Sequence, residues 1–165
     1  MSVDLIMEDA RWRTLNLLQI TNAAFKETLS HFNMRSENFI CCILACNSKK
    51  IKGLNAQFRG KNNSTNVLSF PSTTEIYKVS GIPKSEAHVD PFELGNIAIA
   101  YEVCKKEAHF SKIDFEHHVY HLIVHSVLHL LGYEHEEEKK AAEMEKIEVQ
   151  VLAKLGISNP YLNNL

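Results

Sequence analysis

The segment FEHHVYHLIVHSVLHLL, residues 115–131, most constrains how this chain can fold. Read as a helix, it is hydrophobic on almost every side, which is typical of a helix buried in the centre of a domain. Asp114 is placed to cap its first turn, and Gly132 is placed to end it. The rest of the chain must therefore supply strands and helices that cover this central helix.

The other segments alternate between strand-like and helix-like patterns. Apolar runs typical of strands are VDLIME near the start, NFICCILAC at 38–46, NVLSFP at 66–71 and ELGNIAIA at 93–100. Helices are expected after the first strand, from Ser48 as the N-cap to Gly60, from Tyr101 to His109, and in a last segment ending at Gly156. Residues 72–90 contain Pro, Gly, Ser and Asp without periodicity and predict a surface loop. With no long linker, the pattern predicts one α+β domain over residues 1–165.

The first and last helices are expected to bury apolar stripes against the central one. In the first, the stripe is Trp12, Leu15, Leu18, Phe25 and Leu29. In the last, the stripe is Met144, Ile147, Val151 and Leu155. Both stripes predict helices that pack on one side and face solvent on the other.

Chain-wide properties argue against a membrane or secreted protein. No apolar run approaches the roughly 20 residues needed to cross a bilayer. The start, MSVDLIMEDARWR, has acidic residues where a signal peptide would have a basic start, and it lacks the long apolar segment that would follow. Cys41 and Cys42 lie inside an apolar run and are expected to be reduced core residues. A cytoplasmic location is therefore expected.

The net charge of −2 means that any contact with nucleic acid must use a local patch. One candidate patch is formed by Lys49, Lys50, Lys52, Arg59 and Lys61. Such a run is more often a solvated helix face, which charge alone favours for most of these residues.

Three histidines in HSVLHLLGYEH, residues 125–135, have the spacing of a metal site. His125 and His129 lie one helical turn apart and project from one face. Gly132 can adopt a positive φ, which lets the chain fold back and bring His135 from another direction. Three imidazoles leave a fourth position for water, as in catalytic rather than structural zinc sites. The spacing predicts one zinc ion per chain, bound by His125, His129 and His135.

The remaining histidines are less informative. His121, one turn before His125, could be a fourth ligand, a partner of a ligand or a structural residue. The last two roles are expected, because a fourth imidazole would close the water position. His117 and His118 are expected to be exposed, and His31, His88 and His109 fit no ligand pattern.

Ser126 stands where zinc proteases of the HExxH type carry their glutamate base. Without that carboxylate, peptide hydrolysis is disfavoured. Metal-assisted attack on a phosphodiester depends less on it, because the ion polarises the phosphoryl oxygen and supplies hydroxide while a nearby cation stabilises the developing charge.

Four segments, in order, resemble the YbeY family of bacterial rRNA maturation factors. They are LNAQFRGKNNSTNVLSFP at 54–71, ELGNIAIA at 93–100, HLIVHSVLHLLGYEHEEE at 121–138, and EMEKIEVQVLAKLG followed by NPY. The resemblance covers nearly the whole chain after residue 38. It implies a small mixed β-sheet with surrounding helices and a metal site in a cleft. It also implies a zinc-dependent, single-strand-specific endoribonuclease that acts in 16S rRNA 3′-end maturation and ribosome quality control in the cytoplasm.

Carried over position by position, the resemblance assigns the family's zinc ligands to His125, His129 and His135, and its functionally important arginine to Arg59. Arg59 is accordingly expected to bind the substrate phosphate and to act in catalysis. On local sequence alone, the preferred interpretation is an exposed arginine that stabilises the last carbonyls of a helix.

The chain departs from the family at Ser126, usually glycine, at Asn96, usually aspartate, and at Glu134, often aspartate. A catalytic role for the missing carboxylate at Asn96 would change the rate or the pH optimum. The general base is not identified by the sequence, and Glu134 and His121 are candidates. A zinc protease or other hydrolase, and a non-catalytic ribosome assembly factor with structural zinc, remain the alternatives. A fourth protein ligand would favour the structural zinc.

Overall fold

The structure is a computed structural model and describes residues 2–72 and 91–162. Within those residues, four strands form one mixed sheet in the order β1–β2–β4–β3. The strands are β1 (Val3–Met7), β2 (Phe39–Cys46), β3 (Val67–Pro71) and β4 (Phe92–Ala100). β1, β2 and β4 are parallel, and β3 pairs antiparallel with β4. β3 is therefore an edge strand, where the missing N–H of Pro71 is tolerated.

Five α-helices surround this sheet in the described part of the chain. They are α1 (Leu17–His31), α2 (Ser48–Arg59), α3 (Tyr101–Phe110), α4 (Phe115–Leu130) and α5 (Glu138–Lys154). Short 3₁₀ helices lie at Ala10–Thr14 and Ser36–Asn38. The predicted α+β architecture, with its small mixed sheet, is confirmed. Among the described residues, no helix is long and apolar enough to span a membrane.

Alternating residues of β4 show how the helices divide between the two faces of the sheet. Ile97 and Ile99 belong to the main core, which also contains the buried residues of α1, α4 and α5. Ala98 and Ala100 point the other way and share a smaller core with Ile51 of α2. α2 therefore covers one face of the sheet, and α4 lies on the other face within the larger core, as its apolar sequence predicts.

The capping predictions were partly right. The side chain of Asp114 accepts a hydrogen bond from the backbone N–H of His117 at 3.1 Å, which confirms the predicted cap of α4. The cap of α2 is Asn47, not Ser48, because the Asn47 side chain accepts from the backbone N–H of Lys50 at 2.8 Å. That helix ends as predicted at Gly60, which has a φ of 66°.

The predicted stripe of the first helix was wrong in its first half. The Asn16 side chain accepts from the backbone N–H of Gln19, so α1 begins only at Leu17. Trp12 lies before α1 in a 3₁₀ helix. Its side chain is buried there, and its indole N–H donates a hydrogen bond to the carbonyl of Cys46 at 3.0 Å. Leu18 is exposed, whereas Phe25 and Leu29 are buried as expected. In α5, Met144, Ile147 and Val151 are buried as expected.

All four cysteines lie in the described residues and are free thiols. The prediction of core residues is confirmed for Cys41, which is buried, but was wrong for Cys42, which is partly exposed; Cys46 and Cys104 are also buried. Burial raises the pKa of the Cys41 thiol to about 12, which makes it unreactive near neutral pH. Apart from Ser72, the loop predicted at residues 72–90 lies outside the described residues.

Candidate metal centre

The three motif histidines meet at the C-terminal end of α4. His125 and His129 project from the same side of the helix, with ring centroids 4.5 Å apart. α4 ends at Leu130, and Gly132 adopts a φ of 96°, which reverses the chain direction as predicted. The reversal brings the ring centroid of His135 to 4.9 Å from that of His129. One nitrogen of each ring lies within 4.8 Å of the others.

The second nitrogen of each helix histidine is held by a hydrogen-bond acceptor. Nδ1 of His129 lies 2.8 Å from the carbonyl oxygen of Tyr133, which can only accept, so Nδ1 carries the proton. Nδ1 of His125 lies 2.5 Å from Oε1 of Glu148 and donates to it in the same way. With the proton on Nδ1, Nε2 of a neutral ring keeps a lone pair that can bind a cation.

These lone pairs converge. The Nε2 atoms of His125 and His129 are 3.0 Å apart, and neither can donate to the other while its proton is on Nδ1. Two nitrogen ligands at about 2.0–2.1 Å from a tetrahedral zinc ion lie about 3.3 Å apart, close to the observed separation. The donor set therefore fits a zinc ion shared by the three rings.

The ionisation states suit this arrangement. Burial, reinforced by neighbouring His125, lowers the pKa of His129 to about 4, so its ring is neutral near pH 7. Burial by itself would raise the pKa of Glu148, but hydrogen bonds from His121 and His125 outweigh it and lower the pKa to about 2. An ionised Glu148 can only accept hydrogen bonds, which fixes the proton on Nδ1 of His125.

Sequence reasoning missed Glu148. It is fully buried on α5, 23 residues from the histidine that it contacts. One signal could have found it: Glu148 lies among Met144, Ile147 and Val151 on the apolar stripe of the helix, where an acid has no place without a partner.

The other three histidines of α4, His117, His118 and His121, lie in different surroundings. His121 lies behind His125, with Nε2 at 3.1 Å from Oε2 of Glu148, and is outside the three-nitrogen cluster. His117 is exposed as expected. The expectation for His118 was wrong, because its side chain is only 12% exposed and Nε2 lies 3.2 Å from Oε1 of Glu107. α3 packs over this part of α4 and supplies that carboxylate, which the sequence of α4 does not reveal.

Arg59 lies in the same cleft as the three histidines. It is the last residue of α2, and the loop after Gly60 leads around the edge of the sheet into β3. Its guanidinium donates one hydrogen bond, 3.3 Å long, to the backbone oxygen of Ser69. The cleft has a volume of about 270 Å³, and its polar lining includes Arg59, Lys61, Asn66, Ser69, His125, His129 and His135.

The structure divides the candidate basic patch. Lys61 shares the cleft with Arg59, whereas Lys49 and Lys50 line a separate surface depression beside the first turns of α2. Of the patch, Arg59 and Lys61 therefore lie in the cleft with the histidines, and Lys49 and Lys50 do not.

The family departure at Asn96 does not fall in the cleft. Asn96 is exposed on β4 and shares a sheet face with Ala98, the face that α2 covers. A Cβ on the preceding residue, Gly95, would lie 3.0 Å from the Leu130 side chain of α4, which places the histidines on the opposite face.

The sequence of the chain can be compared with those of known proteins. A model of the family described as endoribonuclease YbeY matches residues 5–156. The chain is 40% identical to an endoribonuclease YbeY of Ruegeria sp. (strain TM1040), covering 98% of this chain and 97% of that one. It is 37% identical to an endoribonuclease YbeY of Jannaschia sp. (strain CCS1), covering 98% of this chain and 100% of the relative.

Among solved structures, the fold is similar to the solution structure of TM1509 from Thermotoga maritima, with a TM-score of 0.55 and 20% identity. The similarity covers 93% of this chain and 91% of that one. At this identity, the likeness supports the fold alone.

Proposed function

Because this chain belongs to the endoribonuclease YbeY family, we propose that it is a zinc-dependent nuclease that hydrolyses single-stranded RNA in the cleft between α4 and β3. Membership in that family makes the chain a hydrolytic endoribonuclease of rRNA processing. The finer proposal depends mainly on one observation, the convergence of three histidine nitrogens beside a guanidinium in one cleft.

His125, His129 and His135 would hold one zinc ion. Three neutral imidazoles with a polar, open surrounding are the donor set of catalytic zinc rather than of closed structural sites. When bound, zinc would supply a Lewis acid for a phosphoryl oxygen and lower the pKa of a water molecule. The hydrogen bonds from His125 to Glu148 and from His129 to Tyr133 orient two of the rings before any ion arrives.

Arg59 would bind the phosphate that is attacked. Its guanidinium has five N–H donors, and within residues 2–72 and 91–162 the hydrogen bond to Ser69 uses one of them. The charge cannot be lost near neutral pH, and the planar group can hold two phosphate oxygens at once. Because negative charge increases during attack, this contact would favour the transition state beyond simple binding.

A phosphodiester suits the cleft better than a peptide bond. The position of the protease glutamate is occupied by Ser126, which is fully buried on α4. Neither Glu134 nor Glu148 lines the cleft: Glu134 lies 3.8 Å from the amine of Lys140, and the carboxylate of Glu148 is buried behind His125. The guanidinium of Arg59 beside the histidines matches the negative charge of a phosphodiester, whereas a peptide bond is neutral.

We propose 16S rRNA, near its 3′ end, as the substrate, with roles in maturation and ribosome quality control in the cytoplasm. This part of the proposal is supported by the family resemblance of residues 54–71 and 121–138. We also propose that residues 1–165 act as one nuclease domain.

The test combines metal analysis with cleavage assays on the purified protein. We expect about one zinc per chain, and cleavage of unstructured RNA in preference to duplex RNA. An unfolded protein substrate should stay intact. Proteolysis without RNA cleavage would overturn the proposal, and so would RNA cleavage that persists at full rate after zinc has been removed with a chelator.

A further inference from the structure

Glu148 uses both carboxylate oxygens behind the histidine cluster. Oε1 accepts from Nδ1 of His125 at 2.5 Å. Oε2 lies 3.1 Å from Nε2 of His121 and accepts a short hydrogen bond from the hydroxyl of Tyr161. The side chain is almost completely shielded from water, so each of these contacts replaces hydration that the charge has lost.

A charge at this position is expensive for folding. Its neighbours on the apolar stripe are Met144, Ile147 and Val151, and a hydrophobic residue among them would pack without any desolvation cost. This energetic cost is explained if the carboxylate orients His125, the candidate metal ligand that it contacts. The contact fixes both the orientation of the His125 ring and the nitrogen that carries its proton.

Tyr161 comes from a separate segment that follows α5. Gly156 has a φ of 78° and turns the chain back, and Ile157 is buried and anchors it. Asn159 then holds the backbone N–H of Tyr161 with its side chain at 2.9 Å. The ring of Tyr161 meets the edge of the His121 ring, with centroids 5.4 Å apart. The hydroxyl is thereby aimed at the buried carboxylate.

We propose that Glu148 and Tyr161 are positioning residues of the metal centre, so that the C-terminal segment helps to set the affinity of the histidine cluster for zinc. This inference rests on the proposed zinc site. Glu148 holds His125 with its proton on Nδ1, and Tyr161 fixes the carboxylate through Oε2. His121 contacts the same oxygen, Oε2, through its Nε2 and shields the carboxylate from solvent.

Three variants test the inference by zinc binding rather than by RNA cleavage. Glu148→Gln keeps the size of the side chain but removes the charge, and Tyr161→Phe removes one hydroxyl. Glu143→Gln changes an exposed acid of the same helix and is the matched control. Zinc affinity is measured by competition with a chromophoric chelator. The tautomer of His125 in the metal-free protein is read from ¹⁵N chemical shifts of the imidazole ring.

We expect Glu148→Gln to raise the zinc Kd by about 10- to 100-fold, the range seen when a partner of a metal ligand is lost. Tyr161→Phe should raise it less, by up to about tenfold, and Glu143→Gln should leave it unchanged. His125 should be protonated on Nδ1 in the wild type and become a mixture of tautomers in Glu148→Gln.

A merely structural role predicts a different result. The metal-free protein would then lose stability in Glu148→Gln while its zinc Kd and the His125 tautomer stayed as in the wild type, and this would overturn the inference. If Glu148→Gln does not fold, Tyr161→Phe decides, and an unchanged Kd in that variant would overturn it. If the wild type binds zinc and cleaves RNA, and the variants also bind zinc normally, only this inference is overturned. A wild-type protein without zinc affinity defeats the proposed function as well.

Discussion

The two walls of the cleft differ in how firmly their functional groups are held. On the histidine wall, formed by His125, His129 and His135, the two helix residues are each fixed through Nδ1 by a buried or backbone acceptor. On the arginine wall, formed by Arg59 and Lys61, both side chains are exposed, and Arg59 makes one hydrogen bond of 3.3 Å. Under the proposed function, we therefore expect the metal half to be organised by folding and the arginine half to be ordered by the substrate.

This contrast separates the expected effects of mutations. Changes on the histidine wall should alter zinc binding and stability together, because ion binding is coupled to the ordering of the ligand loop. Changes on the arginine wall should alter RNA cleavage while zinc content and stability stay constant. Four experiments, from the largest expected effect to the smallest, test this separation.

The largest effect is expected for His129→Ala, which removes the central nitrogen of the cluster. Zinc should be lost, the melting temperature should fall to that of the metal-free wild type, and RNA cleavage should drop to background. His117→Ala is the matched control, because His117 is an exposed histidine of the same helix. Elemental analysis, thermal unfolding and an RNA cleavage assay measure the three quantities. Full zinc content in His129→Ala would contradict the assignment of the histidine wall.

On the arginine wall, Arg59→Ala should lower RNA cleavage by roughly ten- to a thousandfold, the range for loss of one charge-stabilising donor. Zinc content and melting temperature should match the wild type, since the side chain is exposed and, within the described residues, its hydrogen bond goes to the Ser69 carbonyl. Arg59→Lys should recover part of the activity, because a point charge lacks the bidentate fork. Steady-state kinetics should show a lower kcat as well as weaker binding.

The control for this comparison is Arg35→Ala, an exposed arginine that does not line the cleft. It should cleave RNA like the wild type. Equal cleavage by Arg59→Ala and wild type would remove Arg59 from catalysis, and loss of zinc in Arg59→Ala would show that the two walls are not independent.

The same contrast explains how much could be predicted from the sequence. His125, His129 and Gly132 are close together in the chain, so helix geometry and one reversal already bring the ligands together. Glu148 reaches His125 only because α5 packs against α4, and no local pattern encodes that contact. The place of Arg59 came from the family resemblance, since its own surroundings in the sequence are typical of an ordinary helix end.

Errors in the fold had a similar origin. The sequence predicted that Trp12 belongs to the stripe of the first helix, but the hydrogen bond of its indole to Cys46 holds it in a separate turn. His118, in the first turn of α4, was expected to be exposed. It is mostly buried because α3 brings Glu107 over it. In both cases a partner distant in sequence, 34 or 11 residues away, decided the environment.

The third experiment compares two glycines, one in the reversal after α4 and one inside α2, the helix that carries Arg59. Gly132 has a φ of 96°, so Gly132→Ala should cost about 1–2 kcal/mol of unfolding free energy and weaken zinc binding by displacing His135. Gly53 lies inside α2 with nothing within 4 Å of an added Cβ. Gly53→Ala should instead add about 0.5–1 kcal/mol, without any effect on zinc.

Urea unfolding of the metal-free proteins and chelator competition measure both effects. A neutral or stabilising Gly132→Ala would mean that the reversal after α4 does not need glycine. Weaker zinc binding in Gly53→Ala would mean that the arginine wall contributes to metal affinity.

The smallest effect is expected at Ser126, on α4 between the two helix ligands in sequence but buried away from solvent. Its hydroxyl has no hydrogen-bond partner among the described residues, so its burial is uncompensated. Ser126→Ala removes that group and improves helix propensity, and should raise the unfolding free energy by about 0.5–1 kcal/mol. Ser126→Gly, which introduces the residue usual in the family, should lie about 1 kcal/mol below Ser126→Ala, since glycine disfavours a helix interior. Zinc affinity should be equal in all three proteins, because the rings are oriented by Glu148 and Tyr133. A destabilised Ser126→Ala would show that the hydroxyl has a partner, and a change in zinc affinity would show that packing at this position also orients the ligands.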